Sequence, residues 1–132
     1  ERGMPLLYSG RELPNYKRLA FFDKDVIEWG DTCQLHQFYQ TLFTLHKKDV
    51  ILKGETFILP TDNQQVMAFL RKAGKEVVLC ILNFGNSDRI KITVNHPWLK
   101  GTFESLTSSI EYNFNQEESF ELGAYGSVVY VK

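Results

Sequence analysis

A chain of 132 residues, 43% hydrophobic and 14% aromatic, has the size and apolar content of one domain with a sizeable core. Its 15 basic and 16 acidic residues leave a net charge of -1, and no block of one sign offers the electrostatic footprint of a nucleic-acid binder. The longest apolar run, Val77 to Leu82, is far short of the ~20 residues that span a bilayer, so no membrane segment is expected.

The chain opens at Glu1 with neither the basic start nor the ~7–15-residue apolar stretch of a secretory signal. An apolar run, Met4 to Leu7, follows almost at once, as if the chain began inside a structural element, and Ser9-Gly10 closes it with a turn signal. From Asn15 to Gly30, the residues Phe21, Phe22, Val26, Ile27 and Trp29 mix with charges in no clean period, which reads as an ordered loop pinned by its aromatics. Asp31 is placed to cap a helix, with Gln34 at capping-box spacing. Leu35, Phe38, Leu42 and Leu45 then form one apolar stripe, widened by Tyr39. His46, Lys47 and Lys48 sit in the last turn, where cations favour the negative end of the helix dipole. It is the one helix expected.

From Gly54 the apolar period changes to two. Thr56 to Leu59 is a short strand closed by Pro60, Asp62 and Asn63, and Gln65–Lys72 with Glu76–Phe84 forms a hairpin around Ala73-Gly74. The run Val77-Val78-Leu79-Cys80-Ile81-Leu82 is apolar on both faces, as a central strand requires. Ile90, Ile92 and Val94 alternate with Lys91 and Thr93 as a half-buried strand, and Thr102–Leu106, Ile110–Phe114, Ser119–Leu122 and Ser127–Val131 complete a set of about eight. Short strands at this spacing imply an antiparallel β-sandwich or Greek-key barrel. Cys33 and Cys80 show no metal-ligand spacing and read as two small buried hydrophobes.

The first residues carry the most specific pattern. Gly3-Met4-Pro5-Leu6-Leu7-Tyr8-Ser9-Gly10-Arg11-Glu12 resembles the G-x-P-x-x-Y-x-G-x-E signature on the eighth barrel strand of the α-amylase family, glycoside hydrolase family thirteen, and matches it at Gly3, Pro5, Tyr8, Gly10 and Glu12. Lys17 to Trp29 resembles that family's post-barrel loop, and Phe38 to Leu45 its last barrel helix. Met67-Ala68-Phe69-Leu70-Arg71, Leu82-Asn83-Phe84 and Tyr125-Gly126 to Val129 are similar to landmarks of its C-terminal all-β domain. The resemblance implies a mainly β chain: residues 1–53 as the end of a catalytic (β/α)8 barrel (last strand, loop, last helix) and residues 54–132 as a C-terminal Greek-key β-sandwich. Pro5 is awkward for a barrel strand, which needs every backbone N–H.

Retaining glycosidases work with two carboxyl groups about 5–5.5 Å apart. In the family resembled, the nucleophile, the acid/base and the transition-state carboxylate lie on earlier barrel strands, so all three precede Glu1. The resemblance thus implies the end of an enzyme acting on α-1,4-glucans, with no catalytic residue in this chain, and a fragment that hydrolyses nothing alone. It makes Glu12 a structural carboxylate, paired with Arg18 or backbone amides. Its partners would be the rest of the parent barrel, the α-glucan in the whole enzyme, and other copies of the fragment through the exposed barrel remnant. Any calcium site would belong to the parent, and family resemblance leans towards a secreted or periplasmic location. Asn95-His96-Pro97 is similar to a barrel-strand motif but has Pro97 where an aspartate belongs, and His36, His46 and His96 show no ligand spacing. Trp98, following Pro97 in a loop, is the candidate glycan contact. Two further readings compete: a free-standing glycan-binding sandwich, and a structural or adhesion sandwich.

Overall fold

Val77 to Leu82 lies in the central strand, paired on one edge with Val66–Ala73 and on the other with Ser127–Val131. In the computed structural model, which describes residues 5–14, 17, 18, 20 and 22–132, the elements are α1 (His36–His46), α2 (Asp49–Leu52), β1 (Glu55–Leu59), β2 (Val66–Ala73), β3 (Glu76–Asn83), β4 (Ile90–Ser105), β5 (Glu111–Leu122) and β6 (Ser127–Val131). All strand pairs are antiparallel, in the order β1-β2-β3-β6-β4-β5. The last strand returns to lie between β3 and β4, the crossover of a Greek key.

The architecture is the mainly β, antiparallel sandwich expected from sequence, built from six strands instead of about eight. The difference lies in β4 and β5, of 16 and 12 residues, each of which joins two of the expected short strands. Pro97 looks like a breaker, yet the chain passes it through a bulge. Asn95 pairs with Glu117 and Lys100 with Asn115, leaving residues 96–99 of β4 outside the ladder, where the missing N–H of Pro97 breaks no sheet bond. The long hairpin bends there, and the sheet closes over itself. Phe57 of β1 meets Trp98 of β4 with ring centroids 4.4 Å apart, although three strands separate β1 from β4 in the ladder.

One core results, drawn from all six strands. Leu59, Leu70, Leu79, Ile81, Ile92, Leu99 and Phe103 are buried in it, with Phe114 stacked on Phe103 at 4.9 Å and packed edge-on against Tyr130 at 5.1 Å. The alternation along the first half of β4 is strict: Ile90, Ile92 and Val94 inside, Lys91, Thr93 and Asn95 outside. Cys80 points to the opposite face of β3 and is half-buried, whereas Cys33 is exposed, so the expectation of two buried cysteines holds for neither in full.

The chain divides into two compact units, Glu1–His46 and Lys47–Lys132. Residues 47–53, which the sequence reading groups with the helix, therefore cluster with the sheet. They include α2, an unexpected single turn whose Val50 is fully buried. In the first unit, α1 starts at His36, five residues beyond the expected Asp31 cap, because Cys33 to Leu35 form a turn: His36 N donates to Cys33 O at 3.0 Å, and Leu35 N to Glu12 O at 2.9 Å. Among its described residues only Gly10 and Leu45 are buried. Phe38 and Leu42 of the expected stripe remain 50% and 37% exposed. No described helix is long and apolar enough to cross a membrane.

A stretch that buries almost none of its apolar side chains cannot offset the entropy of ordering them. Residues 47–132 expressed alone should unfold in one cooperative transition with retained near-ultraviolet dichroism. Residues 1–46 alone should show neither, and a cooperative melt of that peptide would contradict this division.

Candidate functional site

The N-terminal signature forms turns, not a strand. Arg11 N donates to Tyr8 O and Leu13 N to Gly10 O, each at 3.1 Å, and among the described residues nothing pairs with Pro5 to Tyr8. With no ladder there, Pro5 leaves no bond unmade. Gly3 and Met4 lie outside the described residues. Gly10 is buried with φ +80°, and a Cβ on it would sit 3.0 Å from Cγ2 of Ile27, so both its backbone angle and its packing demand glycine. Tyr8 is 63% exposed. What ties Glu12 into the unit is its carbonyl, which accepts from Leu35 N.

In the following loop a carboxylate gathers three donors. Asp25 Oδ1 accepts from Lys17 Nζ at 2.7 Å and from Val26 N at 3.0 Å, and Oδ2 accepts from Ala20 N at 3.0 Å. The Lys17 bond and then the Ala20 amide hold this carboxyl below its usual range. Phe22 and Trp29 are exposed, at 93% and 59%, and Phe21 lies outside the described residues.

The three histidines are not brought together. His96 sits on the β4 bulge, where Trp98 N donates to its Nδ1 at 3.2 Å, and burial first, then the charge of Lys72, hold the imidazole below its ordinary range. Its neighbour Asn95 donates to Glu117 Oε2 at 2.9 Å. The triplet Asn95-His96-Pro97 thus builds a bulge. Calcium needs six to eight oxygen ligands. Among the described residues no three acidic, histidine or cysteine side chains gather to hold an ion, so nothing below rests on a metal.

Two sandwich landmarks are polar joints. Arg71 projects from β2 on the face opposite Leu70 and donates to four oxygens: Val50 O (3.1 Å), Ile51 O (2.7 Å), Gly54 O (2.8 Å) and Thr56 Oγ1 (2.8 Å). It satisfies the carbonyls that a one-turn helix leaves unpaired at its end. Gly54 allows the approach, because a Cβ there would collide with the Val50 carbonyl and lie 3.0 Å from Lys72 O. The second joint is Asn83, buried at 3% exposure. It donates from Nδ2 to Gly123 O at 2.7 Å and accepts at Oδ1 from Gly85 N at 2.8 Å, which ties the β3–β4 loop to the β5–β6 turn. Sequence reasoning named both as landmarks without a role. A lone arginine ending an apolar strand was the available signal for the first.

On the face of the sheet that carries Arg71, which also holds Thr56, Ser127 and Glu104, β1, β2, β3 and β6 present a run of apolar side chains. Ile58 pairs with Phe69, Phe69 with Cys80, and Cys80 with Val129, so these side chains share one row. Met67 and Leu82 form the next. Ile58 is 63% and Met67 41% exposed.

Residues 56–129, more than half of the chain, match the family described as the maltogenic amylase C-terminal domain. The chain belongs to this family. Similar folds occur in a noncanonic maltogenic α-amylase, AmyB, from Thermotoga neapolitana (17% identity, 99% of this chain and 33% of that one, TM-score 0.75) and in an Anoxybacillus α-amylase (17% identity, 76% and 22%, TM-score 0.63). The trehalulose synthase MutB shares it at 21% identity over 73% of this chain and 17% of its own, with a TM-score of 0.57. At such identity the likeness is one of fold. The chain spans a third of the Thermotoga enzyme's length and less of the others. No curated protein matches it in sequence. In this maltogenic amylase C-terminal domain, the sandwich landmarks quoted from sequence fall within the matched span.

Arg71→Ala leaves three backbone carbonyls and a hydroxyl without their donor, and should lower the stability of the domain by about 2–3 kcal/mol in urea unfolding. Arg71→Lys should recover little, since an ammonium cannot reach the same fork of acceptors. The thiols should differ as well. Burial pushes Cys80 up to about 11, which leaves ~0.1% thiolate at pH 8. Exposed Cys33 should therefore react with a thiol reagent at least tenfold faster, as quantified by peptide mass spectrometry.

Proposed function

We propose that this chain is the non-catalytic accessory end of an enzyme that hydrolyses α-1,4-glucans, and that its sandwich stabilises a catalytic barrel formed by the residues before it. The observation that carries the reading is the apolar outer face of the sheet. Ile58, Met67, Phe69, Leu82 and Val129 share this side with α2, where the upstream chain enters through the Arg71 clamp. A soluble domain rarely leaves contiguous apolar rows of this kind uncovered. Among the described residues the first unit adds exposed Leu6, Trp29 and Phe38.

Membership of the maltogenic amylase C-terminal family and the greater length of the structural relatives support a large partner on the N-terminal side. In this reading Gly10 and Glu12 shape the turn that leaves the last barrel strand, and Glu12 serves the fold, not the chemistry. Glycoside hydrolysis of the retaining type needs a carboxylate nucleophile and a carboxylic acid held at a fixed short separation. Glu104 and Glu111 face each other across the β4–β5 ladder, but both are exposed on the outside of the hairpin, and Asp25, which takes three donors, is committed to its loop. Calcium and secretion are matters for the parent enzyme.

The purified 132-residue chain should release no reducing ends from starch or maltooligosaccharides, while the parent enzyme does. Cleavage by the fragment would overturn the assignment. In the parent, Ile58→Asp with Met67→Asp puts two charges into the proposed contact and should lower the melting temperature of the barrel by several degrees with little change in KM. An unaltered barrel melt would show that this face does not support it.

A further inference from the structure

The end of the sandwich opposite the Asn83 joint contains a feature that the accessory role leaves unused. Lys72 is the penultimate residue of β2, Lys75 sits in the β2–β3 turn, Lys100 leaves the β4 bulge, and Lys132 follows β6. Together with Val77, Pro97 and Trp98 they line an open depression of about 480 Å³. Four of the chain's 15 basic residues thus surround one hollow in a protein of net charge -1, and no acidic side chain contributes to its wall.

The positive charge is not neutralised from within. Among the described residues none of these four lysines forms an ion pair, and Glu55, the register neighbour of Lys72, does not come within ion-pair distance of it. Two of the ammonium groups are held in place by other means. Lys72 Nζ lies 4.1 Å from the centroid of the Trp98 ring, and Lys132 Nζ donates to Lys100 O at 2.6 Å. Lys75 and Lys100 stay exposed at the rim. Trp98 is buttressed edge-on by Phe57 at 4.4 Å and by His96 at 4.8 Å, so the wall it forms is rigid. The hollow therefore combines an apolar wall of Trp98, Pro97 and Val77 with convergent lysine side chains and no acidic side chain in its lining.

We infer that this depression binds a phosphorylated saccharide, with the phosphate held among the Lys72, Lys75, Lys100 and Lys132 ammonium groups and the sugar ring against the Pro97–Trp98 wall. A phosphate supplies several strong acceptors for the lysines. A hexose has C–H faces that suit an aromatic wall and hydroxyls that remain in solvent at the open side. A neutral glucan leaves four cations unpaired, and an inorganic anion leaves the wall bare. The inference does not depend on the proposed hydrolase parentage, since the binding measured is that of the chain alone.

The test titrates the 132-residue chain with glucose 6-phosphate, inorganic phosphate and glucose at low salt. It follows tryptophan fluorescence in the Trp29→Phe background, where Trp98 is the remaining reporter, and the heat of binding. Glucose 6-phosphate should give a saturable response, inorganic phosphate a weaker one, and glucose none. Lys75→Ala with Lys100→Ala removes exposed side chains only and should weaken glucose 6-phosphate by about tenfold or more. On the unaltered pair of lysines, raising sodium chloride to about 0.5 M should produce a similar loss, since the Debye length then falls well below that at physiological salt. The inference is overturned if glucose 6-phosphate gives no saturable response, if glucose or inorganic phosphate binds as tightly, or if neither salt nor loss of the two lysines weakens the binding.

Discussion

A helix of one turn ends with carbonyl oxygens that nothing inside the helix can satisfy, and here the guanidinium of Arg71 meets them. Three backbone oxygens from α2 and its exit, with the Thr56 hydroxyl, converge on one side chain rooted in β2. That fan of bonds decides where the upstream chain meets the sheet. It fixes the direction in which β1 departs, and so the register that sets Ile58 beside Phe69 on the outer face and Leu59 in the core. Lysine could carry the charge but not the planar fork, and any residue larger than glycine at position 54 would push the helix off the strand. Arg71 thus stands on the outer side of a strand whose Val66, Ala68 and Leu70 are buried on the inner side.

The far end of the sandwich repeats the logic with neutral groups. Asn83 lies at the end of the central strand and is almost wholly buried, which is costly for an amide unless donors and acceptors surround it. Gly123 O and Gly85 N do so, and Asn83 N donates to Gly126 O at 2.9 Å. Loops from two distant parts of the sequence are locked by one side chain. The hydrophobic core between these joints supplies the bulk of the stabilisation, and the joints select which way round the strands close.

Much of this was legible in residue order alone. The β2–β3 hairpin, the central position of β3, the alternation of Ile90, Ile92 and Val94 and the limits of β6 all follow from period and turn residues. Strand number did not, because a proline inside a strand normally argues for a break. Only the partner strand shows that residues 96–99 bulge out of the ladder. Likewise α2 is too short for a 3.6-residue period to register, and its stability comes from Arg71, 20 residues away from Ile51 in sequence. The aromatics of the first third look like core because aromatic residues usually are. Asp25, a carboxylate with three donors, organises part of that loop, and a polar hub of this kind has no spacing to read. As for the lysine-lined hollow, its members come from three separate places between Lys72 and Lys132, and no linear pattern joins them.

The two units differ in a way that bears on what the chain is for. Residues 47–132 close a core of their own, with Leu70, Leu79, Ile81, Leu99 and Phe103 at 0% exposure, and need no help to exclude water. The described part of residues 1–46 has turns, an organising carboxylate and a three-turn helix, yet leaves Leu6 at 90% and Phe22 at 93% exposure. Side chains of this size each forgo roughly 1.5–3 kcal/mol when they stay in water. Among its described residues the segment has defined polar contacts but buries little apolar surface. Its hydrogen bonds are local and survive separation, whereas its burial is non-local and does not. The family match, residues 56–129, lies wholly within the unit that closes a core of its own, Lys47–Lys132.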